Sequence, residues 1–73
     1  MERSKLVVFV RAGKSVGDSL SDALTVAGGE ITDMWHGRDY ADEESGWHID
    51  LVTRYVDAVE AVLAPYRTDI DYR

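Results

Sequence analysis

The chain has 73 residues, 45% of them hydrophobic and 30% charged, with 8 basic against 14 acidic side chains and a net charge of -6. A chain this short forms one domain, and surface scaling lets it bury only about 62% of its unfolded area, a thin margin that favours further burial against a second copy or a partner. It has no cysteine, which excludes disulfide scaffolds, zinc ribbons and thiol catalysis.

The first apolar run, Leu6-Val7-Val8-Phe9-Val10, is bounded by Lys5 and Arg11. It is too short for a signal peptide or a membrane span, so the expectation is a cytoplasmic protein with no membrane partner. Every position in it is apolar and most are β-branched, as in a strand covered on both faces, which predicts a central strand. Ser15-Val16-Gly17-Asp18 follows as a Ser-x-x-Asp helix start. Val16, Leu20, Ala23, Leu24 and Ala27 then recur at helical spacing, and Gly28-Gly29 ends the helix, where glycine alone enters the left-handed region without strain.

Glu30 to His36 reads as a strand with Ile31 and Trp35 on one face and Thr32, Met34 and His36 on the other. Gly37 to Gly46 reads as a loop. Trp47 to Val52 is a strand with Trp47, Ile49 and Leu51 on one side and His48 and Asp50 on the other. From Thr53 the period turns helical, with Val56, Val59, Val62 and Leu63 as the apolar stripe, Asp57 and Glu60 toward its start, and Pro65 beyond its end. Thr68, Ile70 and Tyr72 alternate with Asp69, Asp71 and Arg73, a short edge strand whose charges discourage further pairing. The order β-α-β-β-α-β is that of a ferredoxin-like α+β domain, a four-stranded antiparallel sheet with two helices on one face. Such a sheet leaves its other face open. Either Leu6, Val8 and Val10 or Val7 and Phe9 must point there, as an apolar patch seeking cover unless long neighbouring side chains shade it.

The chemistry-bearing motifs are sparse. Gly13-Lys14-Ser15 sits between a strand and a helix like a phosphate loop, but Val8 stands where the first glycine is needed. His36 and His48 flank the loop and, with Asp33 or Asp50, would make a metal set only if the hairpin register put both imidazoles on one face. Asp39, Asp42, Glu43 and Glu44 supply carboxylates without the concave, water-excluding site that acid-base chemistry requires. The expectation is a protein that is not an enzyme and carries no cofactor or metal. RNA-recognition modules share this strand order, yet six surplus negative charges oppose a phosphate backbone. An acidic surface is better suited to a partner's basic groove.

The loop holds four acids and one base within ten residues, with Trp35, Tyr40 and Trp47 in or beside it, a composition that interface hot spots favour. Trp35, Asp39, Tyr40, Asp42, Glu43, Glu44 and Trp47 are therefore the expected partner-binding set. Val7, Phe9, His48 and Asp50 are the expected open-face or dimer-interface set.

Two resemblances bear on function. Val16-Gly17-Asp18-Ser19-Leu20-Ser21-Asp22-Ala23-Leu24, followed by Ala27-Gly28-Gly29-Glu30-Ile31, resembles the first half of an ACT-type regulatory domain. That resemblance implies a homodimer sensing a small ligand such as an amino acid, with Gly13 and Gly17 at the ligand turn. A very short, acidic, cysteine-free domain is also similar in style to small phage-encoded inhibitors of host defence, anti-CRISPR proteins among them. That resemblance implies a non-enzymatic inhibitor that docks on a larger protein and blocks a basic nucleic-acid-binding surface. The inhibitor is the leading expectation and the ligand sensor the alternative.

Overall fold

The computed structural model describes residues 2–39 and 44–73. Its elements are β1 (Ser4–Val10), a single 3-10 turn (Lys14–Val16), α1 (Gly17–Val26), β2 (Gly29–Arg38), β3 (Ser45–Thr53), α2 (Val56–Leu63) and β4 (Thr68–Tyr72). The strands lie in the order β2-β3-β1-β4 with every neighbouring pair antiparallel. This is the ferredoxin-like α+β arrangement, with the apolar run of β1 inside the sheet and β4 at its rim.

The register divides β1 cleanly. Leu6, Val8 and Val10 stand opposite Leu51, Ile49 and Trp47 of β3 and join Leu20 and Leu24 of α1 and Val59 and Leu63 of α2 in one buried cluster. These are the positions that the helical and alternating patterns pick out, and their burial supplies most of the folding drive. Val7 and Phe9 point to the face the helices leave uncovered.

Buried Thr53 ties the end of β3 to both helices. Its Oγ1 donates to the Gly28 carbonyl at 3.0 Å and accepts the Tyr55 N–H at 2.9 Å. Gly28 itself sits at φ 94°, the left-handed geometry the Gly-Gly pair predicts, and the Tyr55 ring covers the place a Cβ would take.

Three local expectations are corrected. The start of α1 has no side-chain cap: the chain enters through a 3-10 turn that puts Ser15 inside the turn and Val16 at the cap position. Ile31 and Trp35 do not share a face, because the β2–β3 register shifts between Ile31 and Asp33. This extra residue reverses the alternation beyond it. Ile31, Met34 and His36 therefore stand on the helix side, opposite Leu51, Ile49 and Trp47, while Trp35 joins His48 on the open side. The 37–46 loop is also shorter than expected, since Gly37 and Arg38 pair with Gly46 and Ser45, and the Asp39 N–H donates to the Glu44 carbonyl at 2.8 Å.

Candidate functional site

The open face is organised as rows running across the strands. One row is Trp35, His48, Phe9 and Asp69, and the next is Asp33, Asp50, Val7 and Asp71. Together they line a shallow concavity of about 390 Å3 to which Asp39 also contributes.

The aromatic row is built by packing. The Trp35 and His48 rings lie parallel with centroids 3.9 Å apart and an 8° interplanar angle, and Phe9 tilts against His48 at 4.8 Å. The His48 ring is fixed by a 3.2 Å hydrogen bond from Nε2 to the Arg38 carbonyl. The rings have room to lie down because the adjoining cross-strand pair is Gly37 and Gly46. A Cβ on Gly37 would meet the Trp35 ring, and one on Gly46 would meet Phe9 and the Val10 carbonyl. Phe9 ends 8% exposed, shaded by its neighbours, whereas Trp35 keeps 46% of its surface in solvent. The open face is thus less apolar than the β1 run suggests, with one exposed indole set among carboxylates.

The electrostatics of the face are uneven. Arg11 lies over the Phe9 ring at 5.1 Å, donating from Nη2 to Asp69 at 2.8 Å and from Nε to Glu44 at 2.9 Å. Glu44 also faces Arg67 at 3.6 Å, Asp71 pairs with Arg73 at 2.7 Å, and Glu30 with Arg3. Among the described residues no ion pair involves Asp33 or Asp50. These two are direct cross-strand partners, a like-charge placement that costs stability.

The expected partner-binding set is divided by the fold. Trp35 and Asp39 border the open face. Glu44 is held in the Arg11 and Arg67 ion pairs and is not a freely solvated loop acid. Tyr40, Asp42 and Glu43 lie outside the described residues. Trp47 is on the opposite face from Trp35, because it stands across from His36 and Val10 on the helix side. Its indole Nε1 donates to the Gly13 carbonyl at 3.0 Å, and its ring covers Gly17 where a Cβ would go. Trp47 thereby closes the start of α1, and it cannot act with Trp35 on one surface.

Val7, Phe9, His48 and Asp50 are brought together on the open face. The resemblance-derived ligand turn fares differently: Gly17 is buried under Trp47, and Gly13 is exposed with its carbonyl engaged by the same indole. The paper metal set is taken apart, since His36 and His48 are on opposite faces and the His36 Nε2 bonds the Ala12 carbonyl at 3.0 Å. Among the described residues no three metal-binding side chains converge, and no helix is long and apolar enough to cross a membrane.

Asp33, named above only as a candidate metal ligand, belongs to this face, as do Asp69, Asp71 and Arg11, all outside the expected partner-binding and open-face sets. Asp69 and Asp71 share odd-numbered alternation with the half-buried Ile70 between them, so their side was legible once β4 was placed beside β1. Asp33 was not legible, because its side depends on the bulge. No family model matches the chain, and no curated protein matches it in sequence.

Proposed function

We propose that this protein acts by binding, as a small acidic regulator or inhibitor that docks its open sheet face on a basic surface of a larger protein. The observation that carries the reading is the half-exposed Trp35, stacked on His48 and set beside the carboxylates of Asp33 and Asp50, which make no ion pair among the described residues. An aromatic anchor inside a charged rim is the composition of interface hot spots, and the rim's sign selects a basic partner and speeds encounter with it. A groove evolved to hold nucleic acid has the matching charge, so occupying it would displace nucleic acid in the manner of an anti-CRISPR protein. The surface itself would repel a phosphate backbone. This role requires no catalysis and no cofactor, and it suits a cytoplasmic protein.

Like charge argues against a second copy as the occupant. Two molecules meeting face to face would bring one carboxylate-lined concavity against another. The ACT-like sensor gains no support at its ligand turn, where Trp47 fills the space beside Gly17.

The test is retention of a partner from the source cell on immobilised protein, comparing the wild type with the Asp33→Lys/Asp50→Lys double variant. The proposal expects a partner that is retained by the wild type, released by moderate salt and lost with the double variant. Retention unaffected by both the substitutions and the salt would refute it.

A further inference from the structure

We infer that the Trp35 end of the open face receives an arginine side chain of the partner, an inference that rests on the docking reading and names its chemistry. The fold already contains a worked example two positions along the same row, beyond His48. There the Arg11 guanidinium lies over an aromatic ring, Phe9, and its N–H groups fork between two carboxylates, Asp69 and Glu44. Three ingredients make that arrangement: a ring packed over the Cβ-less Gly46, a carboxylate in line with it across the sheet, and a second carboxylate to one side.

The Trp35 end also offers a ring and two carboxylates, although here both carboxylates lie in the adjoining row and not in line with the ring. Its indole is held flat by His48 and by the space at Gly37. Asp33 and Asp50 stand together in the adjoining row and line the same concavity. Indole is the strongest of the aromatic cation partners. A planar guanidinium can stack on it while its donors reach paired carboxylates, whereas an ammonium offers a point charge with no stacking plane. Seating a guanidinium there would also neutralise the Asp33–Asp50 repulsion. Like charges placed opposite each other in a ladder disfavour it, and a bound cation would offset that. Binding then gains from the loss of a cost already present in the fold.

The experiment is backbone-amide and indole NMR of the whole chain, titrated with three short glycine-serine peptides alike except for carrying arginine, lysine or neutral citrulline. The arginine peptide is expected to move the Trp35 indole N–H and the amides of Asp33, Trp35, His48 and Asp50, and to bind at least roughly fivefold tighter than the lysine peptide. The citrulline peptide is expected to leave them unmoved. Trp35→Leu should erase the arginine preference while lysine binding persists, Trp35→Phe should restore part of it, and Asp50→Asn should weaken both cationic peptides. Equal binding of arginine and lysine on this face would overturn the arginine inference and leave the docking of a basic partner standing. No perturbation of this face by either cationic peptide would overturn both.

Discussion

Asp33 and Asp50 stand directly opposite each other across the β2–β3 ladder, on the face the helices leave open and next to the stacked Trp35–His48 pair. Opposed carboxylates in a ladder weaken the sheet, so this pair is a local cost whose relief is available to a cationic partner. Replacing one of them with its amide should therefore stabilise the isolated protein while weakening partner capture. Asp33→Asn is expected to raise the unfolding free energy by about 0.2–1 kcal/mol in low-salt urea titrations, a gain that shrinks as salt is added. Opposite movement of stability and binding is common where a surface is shaped for function.

Trp47 and Gly17 form a second coupled pair, this one structural. The indole closes the entry to α1 with its bond to Gly13 and fills the space over Gly17. Gly17→Ala should force the ring aside and cost about 1–3 kcal/mol in chemical denaturation. In amide NMR spectra of the variant the open-face amides should keep their wild-type positions.

Thr53 offers a test of satisfied polar burial. Thr53→Val keeps the shape but removes the acceptor for the Tyr55 N–H and the donor to Gly28, and is expected to cost about 1–3 kcal/mol. Thr53→Ser should recover much of that loss, because the hydroxyl returns.

Tyr72 connects β4 to α2 through its hydroxyl, which donates to the Glu60 carboxylate. That hydrogen bond, with smaller contributions from desolvation and from the negative charge of Glu60, raises the phenol above its ordinary value of 10.0. Because the folded value is the higher one, the stabilising contribution is fully present below about pH 10 and fades as pH rises through the folded value. NMR titration of the Tyr72 ring should give a midpoint above the ordinary value, falling back toward it in Glu60→Ala. Thermal stabilities of the wild type and this variant should converge at strongly alkaline pH.

Much of the fold was legible because burial writes itself as periodicity. The unbroken apolar run of β1 marked an interior strand, and the helical stripes of Leu20 and Leu24 and of Val59 and Leu63 marked the faces that cover it. The side of Trp35 was not legible. A one-residue bulge at Thr32 carries no composition signal, yet it decides whether the indole is buried with Ile31 or displayed with His48. The 37–46 segment drew attention by its charge, but Glu44 is committed to Arg11 and Arg67. The candidate site lies instead across four strands, where alternation distributes single aspartates that look unremarkable one at a time. Trp47 looked like half of an aromatic anchor because sequence proximity to the loop says nothing about which face a strand residue takes.

Carboxylate footprinting with a carbodiimide, performed on the protein alone and on its complex with the retained partner, tests the docking face most directly. Protection of Asp33, Asp50 and Asp71 on complex formation, with Asp18, Asp22 and Asp57 of the helices labelled as before, is the predicted result. Protection confined to the helical carboxylates, with the open face labelled equally in both states, would contradict it.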